Sequence, residues 1–440
     1  MLRELLAHIE RCEPHIAAAW ALDAGAALQA ARESEARWLR GQARALDGVP
    51  VTVKENIATR GTPVPLGSAA TVLTPAAADA PPAARLREAG AVIVCKTTMP
   101  DYGMLSSGLS SFHKLTRNPW DLNQNPGGSS AGAAAACAAR YGPLHLGTDI
   151  GGSIRLPAGW CGVFGLKPSG GRIPIHPPYA GRVAGPLTRT VQDAALAMAV
   201  LARPDARDTT SLPQQDIRWG DIDGLELRGL RIGLWLDAGW GQVVDPDVFA
   251  AVNAAANAFE AAGASVEPVA PFTTRAMADG MDAFWRMRAW LEISALPVER
   301  QARVLPYIRS WAEGGAHLTG AQVFHGQSQM GAMREAAVAA CQPHDVVLSP
   351  VSPVGTFPAE WASPTNDPQR PLEHIGFTLP FNMSEQPAAS IGRGFTRDGL
   401  PIGLQIVGRR HDDLGVLQVA AAYERLRPTH AAWPEPPGGS

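Results

Sequence analysis

Two glycine–serine loops that enclose an alanine-rich segment constrain this chain more than any other feature. The loops are residues 127–130 (Gly-Gly-Ser-Ser) and 151–153 (Gly-Gly-Ser), and residues 131–139 between them are mostly alanine. Alanine is the best helix former, and paired glycines let a main chain turn sharply and approach another group closely. One such loop is more often an ordinary turn, but two at this spacing predict loop, buried helix, short strand (residues 144–147) and a second loop.

The size and charge of the chain exclude several classes of protein. With 440 residues, 46% of them hydrophobic, it can bury a large core. A net charge of −3 gives no general attraction to nucleic acid or to anionic membranes. The five cysteines are widely spaced without a CxxC pair, which argues against a disulfide framework and a zinc site. We therefore expect a cytoplasmic protein without a secretory signal, metal, nucleic-acid partner or membrane span.

Strands alternate with helices along the chain, which predicts an α/β fold. Apolar residues recur at helical spacing in residues 1–45, which predicts two N-terminal helices, and residues 271–340 are also expected to be helical. Glycine and proline are frequent between Pro168 and Pro186, so an extended loop is expected there. A second loop is expected at residues 376–387, and residues 402–407 are expected to be the last clear strand.

Residues 147–168 resemble the signature of the amidase signature family, GTDxGGSIRxPAxxCGxxGLKP, almost letter for letter. The flanking segments LDGVPVTVKEN (46–56), RNPWDLNQNPGGSS (117–130) and GLPIGLQIVGRR (399–410) extend the resemblance over most of the chain. The resemblance implies an α/β amidase signature fold, with a large mixed twisted central sheet covered by helices on both faces.

The resemblance also implies how the chain is organised. It predicts a single amidase domain over residues 1–440, in which residues 46–205 form the signature core. The variable helical region, residues 271–340, would shape the pocket. A proline- and glycine-rich tail, residues 428–440, would follow the closing helix and be disordered.

Carried over by motif, the family's catalytic roles fall on three residues. Ser153 would be the nucleophile, Ser129 a bridging serine preceded by a cis peptide bond, and Lys54 the base. Backbone N–H groups would form the oxyanion hole, and other polar residues would support the site. These are Ile150, Gly151, Gly152 and Ser153 for the oxyanion hole, and Thr148, Asp149, Arg155 and Ser130 for support.

A lysine can act as a base only when it is neutral. Its unperturbed pKa is about 10.4, so burial must lower it for use near neutral pH. A lone lysine at a strand end is more often a solvated surface residue. The neighbouring Val51 and Val53 and the alanine-rich helix could instead supply an apolar environment for Lys54.

A stripe of large side chains marks the variable helical region: Met277, Met281, Phe284, Trp285 and Arg288. Such a stripe is more often core packing, but the resemblance makes it the candidate wall of the substrate pocket. The predicted pocket residues are Gly127, Gly128, Met281, Trp285 and Glu385. Glu385 replaces a frequent glycine of the family, and a carboxylate there would favour a polar or cationic acyl group.

The resemblance predicts a cofactor-free amidase that hydrolyses a small carboxamide or an aryl or alkyl amide through an acyl-enzyme. Esterase activity is a further expectation, and a homodimer stays open. The alternative within the family is a glutamine-hydrolysing amidotransferase subunit that works with a partner protein.

Other motifs that could indicate a different function are weak. The G-x-S-x-G around Ser130 lacks the hydrophobic strand that a nucleophile elbow requires, and the S-x-x-K at Ser111 lacks its companion motifs. A phosphate-binding role for the glycine-rich loop ahead of the helix is also weak, because neither G-x-x-x-x-G-K-[ST] nor G-x-G-x-x-G occurs in the sequence.

Overall fold

The structure, a computed structural model, describes residues 1–428 and 433–434. Most of the predicted tail, residues 428–440, lies outside the described residues. In the described part, eleven strands form one sheet. They are β1 Ala19–Trp20, β2 Pro50–Lys54, β3 Val92–Thr97, β4 Leu144–Asp149, β5 Phe164–Lys167, β6 Val183–Thr188, β7 Arg231–Leu234, β8 Ser265–Pro268, β9 Val346–Pro350, β10 Ala388–Phe395 and β11 Pro401–Gly408.

Helices connect and cover these strands. They are α1 Leu2–Ile16, α2 Ala24–Leu39, α3 Pro81–Glu88, α4 Ala131–Ala138, α5 Arg155–Trp160, α6 Val191–Leu201, α7 Pro246–Ala261, α8 Arg275–Ser294, α9 Val298–Gln301, α10 Pro306–Glu313, α11 Gly320–Cys341, α12 Leu379–Met383 and α13 Asp413–Leu426. The two N-terminal helices and the helical character of residues 271–340 agree with the sequence prediction. No helix in the described ranges is long and apolar enough to cross a membrane.

The sheet is mixed, with the strand order β1-β3-β2-β4-β6-β5-β10-β11-β9-β7-β8. The third and fourth strands of this order, β2 and β4, run parallel, with Val51 opposite Leu144 and Val53 opposite Leu146. The carboxyl ends of parallel neighbours lie at the same edge of a sheet. This register therefore brings Lys54, the last residue of β2, close to the loop that follows β4.

Apolar side chains alternate between the two faces of the sheet, as strand geometry requires. On β9, Val346 and Leu348 join one apolar cluster with α3, α6, α7 and α13, whereas Val347 joins another with α11 and α12. On β6, Ala184 joins the first cluster and Leu187 packs with α4 and α5. Helices thus cover both faces, and the expectation of a large mixed sheet covered on both faces is confirmed.

Several elements were not foreseen, and three of them lie in or beside segments for which the sequence predicts a different structure. The loop expected up to Pro186 contains β6, whose Gly185 and Pro186 are typical strand breakers. A Cβ on Gly185 would lie 2.0 Å from the Leu166 carbonyl oxygen, so close strand packing requires glycine there. The loop expected at residues 376–387 contains α12, which has a proline in its first turn. The last strand has a partner, β10, before it in the chain.

Candidate active site

The alanine-rich segment forms α4, which is buried along its whole length. Its second residue, Gly132, packs so closely that a Cβ would lie 2.3 Å from the Ala18 carbonyl oxygen. Small side chains allow this helix to fit beneath the sheet, and the first glycine–serine loop comes directly before it. The Gly128–Ser129 peptide bond is cis, and Ser129 and Ser130 are buried.

Lys54 reaches this loop from the end of β2. Its Nζ lies 2.8 Å from the Ser129 Oγ and 3.0 Å from the Ser130 Oγ, and the residue has no exposed surface. Burial, reinforced by the charge of Arg182, lowers the pKa of Lys54 well below its usual 10.5, although Asp149 and Glu55 oppose the shift. The environment therefore favours the neutral amine that a general base requires.

Ser130 fixes the orientation of that amine. Its Oγ donates to the Thr148 carbonyl oxygen at 3.0 Å, which uses its single hydrogen. Ser130 can therefore only accept from Lys54, whose neutral amine has two hydrogens and one lone pair. The bond to Ser130 leaves that lone pair free to accept the hydroxyl hydrogen of Ser129. A further bond from the Asn56 side chain to the Thr148 Oγ1, at 3.1 Å, ties the end of β2 to β4.

The second glycine–serine loop connects β4 to α5, and Asp149 holds it in place. The carboxylate of Asp149 accepts hydrogen bonds from the backbone N–H groups of Gly152 at 2.8 Å and Ile154 at 3.0 Å. The two serine loops are joined directly, because the Ser130 N–H donates to the Ser153 carbonyl oxygen at 3.1 Å. Ser153 itself is partly exposed and faces a cavity.

A buried ion pair supports the second loop. Arg155 Nη2 lies 3.0 Å from Asp149 Oδ1, and neither side chain is exposed. Burial alone would raise the pKa of Asp149, but the charge and hydrogen bonds of Arg155 hold it well below its usual range. Arg155 also donates to the Thr378 carbonyl and the Gln405 side chain, and the Asn382 amide donates to Asp149 at 2.9 Å. The carboxylate is therefore fixed as an anion with nearly all its lone pairs used.

One predicted oxyanion-hole donor is already engaged. The Gly152 N–H points at Asp149, so it is not free to bind a substrate oxygen. In residues 1–428 the N–H groups of Ile150, Gly151 and Ser153 donate to no acceptor. Of the four predicted donors, these three N–H groups therefore remain available to an acceptor, and that of Gly152 does not. Thr378 helps to orient the backbone of residues 150–153, because its Oγ1 donates to the Gly151 carbonyl oxygen at 2.7 Å.

A cavity of about 90 Å³ opens beside Ser153. Its lining residues are Tyr102, Gly103, Met104, Leu105, Ser106, Ile150, Gly151, Ser153, Trp285, Arg288, Trp311, Leu372 and Ile375. A Cβ on Gly103 would lie 3.3 Å from the Ser129 Oγ, and one on Gly151 would lie 3.2 Å from the Trp285 ring. The cavity therefore adjoins both serine loops. A wider groove of about 950 Å³ beside α1 contains none of the predicted catalytic residues.

Of the predicted pocket residues, Trp285 lines this cavity and the others do not. Met281 is fully buried in an apolar cluster with Leu156 and Leu379. A Cβ on Gly127 would lie 2.4 Å from the Trp160 ring and one on Gly128 would lie 2.5 Å from a backbone nitrogen, so both glycines serve close packing.

Glu385 also lies outside the cavity lining. Its carboxylate pairs with Arg334 at 2.8 Å and with Arg410 at 2.6 Å. The expectation that this carboxylate selects a cationic acyl group is therefore wrong, because two arginines already neutralise it.

Sequence reasoning missed Tyr102, Trp311 and Ile375 as cavity residues. Trp311 belongs to the helical region that the resemblance implicated, so an aromatic residue in that region was the available signal. Tyr102 and Ile375 lie in irregular segments whose approach to Ser153 depends on the tertiary fold.

In the described ranges no group of three or more His, Cys, Asp and Glu side chains is placed to hold a metal ion.

Known proteins resemble this chain along nearly all of its length. A family model described as Amidase matches residues 1–417. A glutamyl-tRNA(Gln) amidotransferase subunit from Myxococcus xanthus (strain DK1622) is 37% identical, over 96% of this chain and 92% of that protein. An acylamidase from Rhodococcus erythropolis is 34% identical, over 87% of this chain and 82% of that protein.

Solved structures also resemble this chain along nearly all of its length. A bacterial aryl acylamidase of the amidase signature enzymes superposes with a TM-score of 0.89 at 30% identity, covering 97% of this chain and 92% of that one. A 6-aminohexanoate cyclic dimer hydrolase, solved with its substrate, superposes with a TM-score of 0.85 at 27% identity, covering 99% of this chain and 95% of that one.

Proposed function

The chain belongs to the amidase (amidase signature) family, and we propose that it is a serine amidase that cleaves a linear amide through Ser153, Ser129 and Lys54. The products are a carboxylate and an amine or ammonia. One observation carries the proposal: a fully buried lysine with a lowered pKa lies 2.8 Å from a serine hydroxyl, at the rim of a cavity lined by a second serine.

In the first half of the reaction, the Ser153 Oγ attacks the amide carbonyl carbon and gives its proton to the Ser129 Oγ. Ser129 passes its own proton to the lone pair of the Lys54 Nζ, which the bond to Ser130 aims at it. The tetrahedral oxyanion accepts hydrogen bonds from the N–H groups of Ile150 and Gly151 and from that of Ser153 itself.

The amine then leaves and an acyl-enzyme forms. The departing nitrogen takes a proton from Ser129, and Lys54 returns one to Ser129, so the base ends the step neutral. Water attacks the ester carbonyl of acylated Ser153 and loses its proton along the same route. The C–O bond to Ser153 breaks, Ser153 recovers its proton, and the carboxylate product departs.

The cavity favours a substrate with a hydrocarbon or aromatic part. Trp285 and Trp311 supply aromatic walls, and Leu372 and Ile375 supply aliphatic ones. Apolar surfaces of this kind bind aryl or alkyl groups by removing their surface from water. The proposal therefore includes aryl and alkyl amides. Esters of the same acyl groups are expected to react as well, because they form the same acyl-enzyme.

A second candidate function is that of an amidotransferase component. The observation that favours it is the 37% identity to a protein named as a glutamyl-tRNA(Gln) amidotransferase subunit. Such a protein would act on glutamine and depend on a partner. The same three catalytic residues would serve both functions, so substrate and partner dependence distinguish them.

The test is amide hydrolysis by the purified chain alone. We expect release of 4-nitroaniline from simple acyl 4-nitroanilides, and loss of that activity in Ser153→Ala. Ser328→Ala is the matched control, because Ser328 is an exposed residue of α11 outside the site. Activity that survives in Ser153→Ala would overturn the proposed nucleophile. Turnover of glutamine, but of no anilide, after addition of a co-purifying protein would favour the amidotransferase function.

A further inference from the structure

The cavity beside Ser153 has one charged side chain in its described lining. Of its described lining residues, Arg288 is the one with a formal charge, while Trp285, Trp311 and Ile375 are apolar. A charge placed among apolar side chains is unfavourable unless an opposite charge or hydrogen bonds compensate it. The position of Arg288 is therefore informative about what enters the cavity.

Arg288 and Trp285 face the same side of α8, because residues three apart on a helix are neighbours. The Trp285 ring lies against Gly151, where an added Cβ would be 3.2 Å away. Three residues advance a helix by about 4.5 Å. The Cα atom of Arg288 therefore lies about one turn further along α8 than Trp285, which contacts the second glycine–serine loop.

The guanidinium has donors to spare. Its Nε donates to Glu292 at 3.0 Å, in a pair whose side chains are 37% and 38% exposed. Its Cζ lies 4.0 Å from the centre of the Tyr179 ring, whose face favours a cation. Apart from the contact with Tyr179, neither terminal nitrogen of Arg288 donates to a residue that the structure describes. Burial raises the pKa of Tyr179, while the charge of Arg288 and a hydrogen bond with it oppose that rise, so the phenol and the guanidinium lie in direct contact.

The surrounding charges favour an anion. Arg182, which follows Tyr179 in the same loop, adds a second positive charge, and burial together with Arg288 lowers the pKa of Arg182 to about 10. The nearby carboxylates do not balance both arginines. Glu292 forms one partly exposed pair, and Asp149 is committed to Arg155.

We infer that Arg288 binds a carboxylate of the substrate, so that the preferred amide has an apolar segment ending in a carboxylate beyond the scissile carbonyl. The terminal nitrogens of Arg288 form a fork that matches the two oxygens of a carboxylate. Trp285, Trp311 and Ile375 cover the apolar segment. The inference rests on the proposed function of the site, because it takes Ser153 as the reacting end of the cavity.

The test compares two ligands that differ only at their far end. They are the 4-nitroanilides of glutaric acid, which keeps one free carboxylate, and of pentanoic acid, which has a methyl group in its place. Dissociation constants are measured by titration calorimetry with Ser153→Ala, in which the ligands stay intact. The same measurement is made after adding Arg288→Met or the matched control Arg309→Met. Arg309 forms the same type of i, i+4 pair, with Glu313, but does not line the cavity.

We expect the carboxylate ligand to bind at least about tenfold more tightly than the methyl ligand, as charge-assisted hydrogen bonds in a partly exposed site produce. Arg288→Met should abolish this discrimination and Arg309→Met should keep it. Added salt should reduce it, because the site is partly exposed. Equal binding of the two ligands, no binding of either, or discrimination that survives in Arg288→Met would overturn the inference.

Turnover by the unaltered protein reports separately on the proposed function. Hydrolysis of both anilides with equal kcat/KM would leave the amidase function standing and contradict the role of Arg288. Discrimination in binding without hydrolysis of either anilide would support the carboxylate site and contradict the amidase function.

Discussion

At the scale of single residues, the proposed chemistry depends on the protonation of Lys54. The side chain is fully buried, and no ion pair joins it to a carboxylate in residues 1–428, so the neutral form is favoured. Its two serine contacts give the amine a direction as well as a charge state. Nζ lies within hydrogen-bond distance of both hydroxyls, and in the neutral form it can donate to Ser130 while its lone pair accepts from Ser129. A lysine held this way can accept a proton from Ser129 without first losing one to solvent.

Replacing Lys54 should lower the activity of the protein without lowering its stability. We expect Lys54→Met to lower kcat/KM for anilides by at least about 10²–10⁴-fold, the range that general-base catalysis contributes. The control is Lys96→Met, since Lys96 is a second buried lysine, whose pKa burial lowers to about 7, and it donates to the Ile57 carbonyl instead of a serine. Anilide turnover and thermal unfolding measure the two effects. Near-normal activity in Lys54→Met would contradict its role as the base.

The same lysine should make stability depend on pH. Because its pKa is lowered on folding, the unfolded chain binds the proton more tightly between the folded pKa and 10.5. Its contribution to the free energy of unfolding therefore rises as pH increases through that window and is least favourable below it. Lys54→Met removes this term. We expect its Tm to equal or exceed that of the unaltered protein at neutral pH, with the difference shrinking towards pH 10.5. A Tm deficit that persists at all pH values would contradict this.

Arg182 should influence the pH at which the enzyme becomes active. Burial is the larger cause of the lowered pKa of Lys54, and the positive charge of Arg182 adds to it. In Arg182→Gln the pKa of Lys54 should rise, so the acid limb of the kcat/KM profile should move to higher pH. Arg60→Gln, which changes an exposed arginine, should leave the profile in place. If the acid limb of the profile stays in place in Arg182→Gln, the charge of Arg182 does not contribute to the lowered pKa of Lys54 and burial alone determines it.

At the scale of elements, the loop between β4 and α5 depends on one carboxylate. Asp149 ends β4, accepts two backbone N–H groups of the loop, and pairs with Arg155 at the start of α5. These bonds hold the backbone of residues 150–154, which includes Ser153, the proposed nucleophile, and the three N–H groups without an acceptor. Donors held in place before substrate binds are what the proposed stabilisation of an oxyanion requires.

Breaking this arrangement should cost both stability and activity. Asp149→Asn leaves the buried Arg155 without its counter-ion, which typically costs about 3–5 kcal/mol in the free energy of unfolding. We expect a large drop in Tm and a reduced kcat, measured by thermal unfolding and anilide turnover. Asp223→Asn is the control, because its pair with Arg425 is exposed and such pairs contribute little. Equal effects of the two substitutions would contradict the supporting role of Asp149.

Local sequence predicts some of these elements and misses others for physical reasons. The alanine run specifies α4 because both its propensity and its burial favour a helix. By contrast, β6 contains Gly185 and Pro186, which are poor strand formers, and its strand conformation depends on pairing with β4 and β5. In the same way, helical spacing placed Met281 and Trp285 on one stripe. In the folded chain, however, Met281 packs in a buried apolar cluster and Trp285 lines the cavity, because different segments contact the two residues.

At the scale of the whole molecule, the mixed sheet assembles the site from distant parts of the chain. Lys54, Ser129 and Ser153 come together because β2 and β4 are parallel neighbours, and α8 and α10 add the cavity wall. Motif resemblance predicted the fold and the candidate catalytic residues. It could not predict that Gly152 donates to Asp149, or that Glu385 is neutralised by Arg334 and Arg410, because those facts depend on contacts between segments far apart in sequence.

The most direct test of the account is the site of covalent labelling by a fluorophosphonate. Peptide mass spectrometry of the labelled protein should find one adduct, on Ser153, with labelling lost in Ser153→Ala and strongly slowed in Lys54→Met. Labelling of Lys96→Met should match that of the unaltered protein. An adduct on Ser129 or Ser130 instead, or undiminished labelling in Lys54→Met, would contradict the claim that Ser153 is the nucleophile activated through Ser129 by a neutral, buried lysine.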